Sequence, residues 1–326
     1  EICSCAANSR VSPTLERERS TSTSRWVSSF AAETVLSAET ISDAVNEFGA
    51  IRARFSTEIN SVSGALFFTY PLAPAFIAAI RRVGVASAKD STRPFQKGIQ
   101  IKANDTSVMF TAADPNRIAR CQVPWLGKSV SDDTSAVVLT KTMQDIEKTF
   151  ANLGEINISI ASEGERGMVA FQAKNRVVTT IVLNIENYPD IDQYFPTNLE
   201  ESVIVNKQDL IDATRRVELV VNESEDTIRY SFEEGSVNLE STSSENNATE
   251  SVEATLNGNP TSLRFKPWLF HDGLAQITSE FVKIEFTKNQ KEPSRPGPII
   301  MSSQTSKDAA SPDSYRYLLN PNMLKR

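Results

Sequence analysis

One histidine, three cysteines and a glycine pattern without a phosphate loop set what chemistry this 326-residue chain can carry. His271 stands alone, which excludes a Ser-His-Asp triad built elsewhere on the chain, an HExxH zinc helix and any multi-histidine metal site. In the run Pro267-Trp268-Leu269-Phe270-His271-Asp272-Gly273-Leu274 it reads as a helix-surface residue. Neither GxGxxG nor GxxxxGK[ST] occurs, so no glycine-rich cradle for a nucleotide is present. Cys3-Ser4-Cys5 supplies two thiolates, half of a tetrahedral site, with no histidine beside them. With Cys121 the cysteines are odd in number and lack framework spacing, which argues against an oxidising compartment. Glu163 and Glu165 are paired carboxylates of the kind an acid–base enzyme uses, yet Ser162-Glu163-Gly164-Glu165-Arg166-Gly167 reads as a hairpin turn between strands. The expectation is a protein with no catalytic residue, no metal and no cofactor.

Composition turns attention to binding instead. Hydrophobic residues make up 40% and charged residues 23%, ordinary for a globular chain with room for two or three cores. A net charge of −7 repels nucleic acid as a whole, but phosphate binding depends on the field at the contact face alone. No apolar run reaches bilayer length, and Glu1 to Arg25 lacks the basic-then-apolar order of a secretion signal. A cytoplasmic location and no membrane partner are expected.

The elements that would build a binding face repeat. Thr34 to Gly49 reads as a short strand, a serine cap and a helix with Ile41, Ala44, Val45 and Phe48 at helical spacing. The same phrase returns at Val137 to Phe150, running into Ile156 to Ile160, and at Leu263 to Leu274, running into Phe281 to Phe286. Asp43, Asp145 and Asp272 each follow a large apolar helix residue by two positions. Recurrence at a period of roughly a hundred residues marks duplicated domains, not a solenoid. A second helix type, Leu72 to Val83 and Asn206 to Val217, precedes paired strands at Gly98 to Ala103 and Ser107 to Ala112, and at Thr227 to Phe232 and Ser236 to Glu240. Both helices end on adjacent arginines, Arg81-Arg82 and Arg215-Arg216. Cations there either complement the helix dipole or face one shared basic surface. The units are α+β: residues 1–62 a partial or divergent copy with a loosely ordered start, 63–196 a complete copy and 197–326 another. At the end of the chain Tyr315, Tyr317 and Leu319 alternate with Arg316, Leu318 and Asn320 as in a strand with one buried face, which Pro321 stops.

Five phrases in order on this repeat resemble the bacterial sliding clamp family, the β subunit of DNA polymerase III. They are Ser63-Gly64-Ala65-Leu66-Phe67, Thr111-Ala112-Ala113-Asp114-Pro115-Asn116-Arg117-Ile118-Ala119, Tyr188-Pro189-Asp190-Ile191-Asp192-Gln193-Tyr194-Phe195-Pro196, Phe265-Lys266-Pro267-Trp268-Leu269 and Tyr315-Arg316-Tyr317-Leu318-Leu319-Asn320-Pro321. The resemblance implies repeated clamp domains, each with sheets outside and two helices inside, and two chains closing a homodimer ring around double-stranded DNA without regard to its sequence. It implies a non-catalytic processivity factor that tethers the polymerase. Candidates for the DNA-facing side are Arg81, Arg82, Lys141, Lys148, Arg215 and Arg216, although Lys141 and Lys148 read equally well as a solvated helix face.

The resemblance also implies a groove between the middle and last domains for extended peptides from the polymerase α subunit, the clamp loader and other clamp-motif proteins. Its lining would be Ala113, Pro115, Asn116, Arg117 and Ile118, then Pro189, Gln193 and Tyr194, then Lys266 and Leu269, and finally Leu318, Leu319, Asn320, Pro321, Asn322, Met323 and Leu324. Pro115 and Asn116 replace the family's Gly and His, and Asn320 and Asn322 stand where family tails are commonly apolar. The expected groove is correspondingly more polar. An incomplete first copy leaves a rival reading, a monomeric clamp-like peptide binder that closes no ring.

Overall fold

The computed structural model describes residues 66–322 apart from 71–72, 105, 128–133, 152, 162–166, 184–187, 196–198, 200, 222–226, 243–245 and 289–295. All belong to one compact unit, Ile59–Arg326. The first repeat, Cys3 and Cys5, the Glu163–Glu165 turn, Met323 and Leu324 therefore lie outside the described residues.

Two modules with one topology follow each other. The first runs β1 (Leu66–Tyr70), α1 (Ala73–Gly84), a 3-10 turn at Pro94–Lys97, β2 (Gly98–Ala103), β3 (Ser107–Ala113), β4 (Arg117–Pro124), β5 (Leu126–Gly127), β6 (Thr134–Leu139), α2 (Thr140–Phe150), β7 (Ile156–Ala161), β8 (Met168–Ala173) and β9 (Arg176–Ile181). A 3-10 turn at Asp192–Tyr194 leads to β10 (Ser202–Asn206), α3 (Lys207–Glu218), β11 (Ile228–Glu233), β12 (Ser236–Thr242), β13 (Asn247–Asn257), β14 (Thr261–Phe265), α4 (Pro267–Ala275), β15 (Phe281–Lys288), β16 (Pro296–Ser306), β17 (Ala309–Ala310) and β18 (Arg316–Leu319). Each pairing of the first module has its counterpart in the second: β1 with β7 as β10 with β15, β2 with β6 as β11 with β14, β3 with β4 as β12 with β13.

Local chemistry explains the elements. In α1, Phe76, Ala79, Ile80 and Val83 are buried at one-turn spacing, and in α2 Met143, Ile146 and Phe150 are. Asn206 caps α3, its side-chain oxygen accepting from the N–H groups of Gln208 and Asp209 at 2.9 and 3.2 Å. Pro267 opens α4, where its missing N–H would be unpaired in any case.

The joint between modules is β18. One edge pairs with β16 of its own module, Tyr317 opposite Met301. The other pairs with β4 of the preceding module, Tyr317 opposite Ala119 and Leu319 opposite Arg117. One sheet thus runs β14-β11-β12-β13-β10-β15-β16-β18-β4-β3-β2-β6, and a smaller one runs β5-β1-β7-β8-β9. The alternation expected for a single buried face holds for Tyr315, Tyr317 and Leu319, but Leu318 is buried too. Its face is covered by Ile118, Ile191, Phe195 and Ile300, so the strand has apolar cover on both sides.

Helices cross the joint in one row. Arg81 on α1 reaches Glu147 on α2, Arg82 Nε donates to the Gln276 carbonyl at the end of α4 at 2.9 Å, and Arg215 on α3 bonds His271 on α4 at 3.0 Å. Backbone proximity at the joint is tight. A Cβ on Gly273 of α4 would stand 3.0 Å from the Tyr317 Cγ and closer still to its ring edge. Because that ring is buried and tied by its hydroxyl to the Leu269 carbonyl at 2.8 Å, Gly273→Ala is expected to cost about 2 kcal/mol in urea unfolding.

Candidate functional site

The site is built where the 114–117 turn, the 188–199 link, the start of α4 and the end of β18 meet. Asp114 organises the turn. Its Oδ1 accepts from the N–H groups of Asn116 and Arg117 at 2.8 and 3.0 Å, and its Oδ2 accepts from Arg117 Nε at 2.9 Å. The Arg117 guanidinium then crosses the joint. Nη1 donates to Asp272 Oδ2 at 2.6 Å and lies 3.4 Å from the Tyr317 hydroxyl, while the Trp268 ring centroid is 5.1 Å away. Burial by itself would loosen the guanidinium's proton, but Tyr317, Asp272 and Asp114 outweigh it and raise the arginine pKa.

A second arginine crosses in parallel. Arg82 Nη1 and Nη2 fork onto the Asp313 carboxylate at 2.8 and 2.5 Å, and the guanidinium sits over the Tyr315 ring at 4.4 Å. Asp313 also accepts from Ser303 Oγ at 2.6 Å and from the Tyr315 N–H at 3.1 Å. Burial favours its protonated form, yet these donors prevail and hold its pKa at about 2. Nearby, burial raises the Cys121 thiol. Arg120 packs on Phe195, 3.9 Å from guanidinium to centroid, and bonds Asp192 at 3.2 Å.

Among the groove residues expected from sequence, the structure separates a wall from a rim. Ala113, Ile118 and Leu318 form one small buried cluster with Ile191 and Phe195. Leu269 and Leu319 are fully buried in the main core and Arg117 is buried as well, so these three hold the joint and line no open surface. Pro115, Asn116, Gln193, Tyr194 and Asn320 are exposed, and Pro189, Lys266, Pro321 and Asn322 are half-buried. The tail is fixed to both modules: Asn320 N–H donates to the Asn116 carbonyl at 2.8 Å and Asn322 N–H to the Arg264 carbonyl at 2.7 Å. Trp268, 50% exposed, and Tyr194, 47% exposed, present aromatic area at this rim. Sequence reasoning passed over Trp268; a tryptophan at the first turn of a short amphipathic helix was the available signal.

The arginines expected to face DNA divide in the same way. Arg82 is corrected outright, because the Asp313 fork and the Tyr315 ring occupy it inside the joint. Arg81, Lys141, Lys148, Arg215 and Arg216 are exposed on the helix row. Arg216 turns towards β13, where Glu250 takes its fork, and Lys148 lies 3.6 Å from Asp145. No helix among the described residues is long and apolar enough to cross a membrane.

Comparison with known proteins matches this architecture. The family model for the DNA polymerase III beta subunit, central domain, covers residues 73–190, and that for the C-terminal domain covers 192–305. A beta sliding clamp of Streptomyces coelicolor is 31% identical over 250 residues, 76% of this chain and 64% of the relative. A beta sliding clamp homolog, GriR, of Streptomyces muensis is 26% identical over 76% of this chain and 64% of its own. The chain thus spans under two thirds of the length of these curated relatives. A Pseudomonas aeruginosa DNA polymerase sliding clamp superposes with a TM-score of 0.70 at 19% identity, over 80% of this chain and 68% of that one. A sliding clamp of the same organism bound to griselimycin gives 0.69 at 19%, over 80% and 66%.

Proposed function

The chain belongs to the DNA polymerase III beta subunit family, and on that footing we propose that it acts as a sliding clamp. It is a non-catalytic processivity factor that encircles duplex DNA in the cytoplasm and tethers DNA polymerase III during chain elongation. The observation that carries the reading is the joint: β18 joins the strands of both modules into one sheet while the helices of both modules stay in one row. A rigid helix-lined wall backed by continuous sheet suits contact with a phosphate backbone that must not be read base by base.

The repeat supports ring closure by the same joint. β9 corresponds to β18, and the first half of β13 corresponds to β4. Among the described residues the outer edges of β9 and of that half of β13 carry no ladder. Val177 and Ile181 are exposed on the face of β9, and its outer edge presents backbone N–H and C=O groups that a further strand could pair. Repeating the β18–β4 pairing from module to module, head to tail, leads to a closed homodimer ring with heterologous joints. At the rim, Trp268 and Tyr194 supply aromatic anchors for an extended peptide from the polymerase α subunit, the clamp loader or other clamp-motif proteins, and Asn116 and Asn320 supply amides.

Two measurements test this. Light scattering at micromolar concentration is expected to give twice the chain mass; a single-chain mass supports the monomeric peptide binder instead. Protein assembled on nicked circular plasmid is expected to survive a salt wash and to be lost once the plasmid is cut to a linear form. Equal loss from both forms would end the clamp reading.

A further inference from the structure

The helix row carries nearly as many carboxylates as cations, and two of its exposed arginines pair with acids on other elements. Arg81, 66% exposed on its side chain, sends Nε and Nη2 to Glu147 Oε1 at 2.8 and 2.6 Å. Glu147 is itself only 16% exposed, fixed on α2 beneath the arginine. Arg216 forks onto Glu250 of β13 at 2.7 and 3.1 Å. Both acids come from an element other than the arginine's own, so neither pair is a by-product of helical spacing. A guanidinium already bonded to a carboxylate is a weaker phosphate ligand than a free one, because the phosphate must first displace a partner of like charge at hydrogen-bond distance.

We propose that Glu147 and Glu250 limit the protein's grip on DNA, holding Arg81 and Arg216 away from the phosphates. This rests on the clamp reading above and adds to it the residues that set the strength of backbone contact. Weak attraction follows from geometry: with Arg82 inside the joint and two further arginines paired, few counterions are released on binding. A protein held by few phosphates changes register along the duplex easily.

Glu147→Gln and Glu250→Gln keep side-chain size and remove the charge that holds each arginine. Binding of the full-length protein to a labelled duplex is followed by anisotropy across a salt series. Each substitution is expected to tighten binding at low salt and to steepen the slope of log K against log salt by about 0.9 for each phosphate gained. Arg81→Ala alone is expected to leave the slope unchanged, and Arg81→Ala added to Glu147→Gln is expected to return it to that of the natural protein. A purely structural role for Glu147 would move the melting temperature and leave the slope alone, which overturns the proposal. A flatter slope in Arg81→Ala alone would overturn it as well, since Arg81 would then contact phosphate despite its partner. Natural protein that is retained on circular plasmid while all slopes agree sinks this inference only. Absence of both retention and binding, in every variant, sinks the clamp reading with it.

Discussion

Arg117→Ala is expected to lower the unfolding free energy by about 4 kcal/mol, read as a shift of the urea midpoint at unchanged slope. The side chain is buried, and removing it leaves Asp114 Oδ2, on a side chain only 9% exposed, without its cationic donor and the Tyr317 hydroxyl without its cationic neighbour. Asp272, 38% exposed, can turn to water and suffers less. Arg117→Lys separates charge from geometry. An ammonium cannot bond Asp114 through one nitrogen and Asp272 through another in a fixed plane, so it is expected to recover less than half of the loss. Full recovery would mean that charge alone holds the turn. The same substitution is expected to weaken peptide capture at the rim, since the turn bearing Pro115 and Asn116 is fixed through Asp114.

Asp313→Asn is the second large effect, about 2 kcal/mol at neutral pH, because the fork from Arg82 loses its charge partner inside the joint. Here pH gives a signature. The folded carboxyl has a pKa of about 2 against an ordinary 3.8, so it releases its proton more readily folded than unfolded. Its contribution is therefore complete above the ordinary value and is lost as pH falls towards 2. The stability difference between natural protein and the Asn variant is expected to be flat from pH 7 to 5 and to shrink below pH 4. A gap that stays constant down to pH 3 would show that packing around residue 313, and not its charge, matters.

Periodicity made the helices and most strands legible. The helices read as Leu72 to Val83 and Asn206 to Val217 fall within a residue of α1 and α3, and Pro321 marks the stop of β18. What sequence could not convey was which neighbour each surface would meet. Arg81 and Arg82 are adjacent and chemically identical, but a helix turns them about 100° apart. One faces solvent, while the other meets Asp313, 231 positions along the chain. Likewise Leu269 and Leu319 resemble groove lining in a linear reading. Their burial depends on Tyr317 and the facing module, which leave no local trace. The exposed rim was legible only through family resemblance, since proline and asparagine at 115, 116, 320 and 321 read otherwise as ordinary turn residues.

β18 enters the sheet roughly two hundred residues after β4, the strand whose edge it covers, and ribosomes deliver chain in that order at about 5–20 residues per second. The first module therefore emerges with an open strand edge, and for some ten to forty seconds its Arg117 lacks the partners on α4 and β18. Nascent chain in that interval is a ready target for mispairing with a neighbouring polysome's product, and late closure by a four-residue strand ends the exposure.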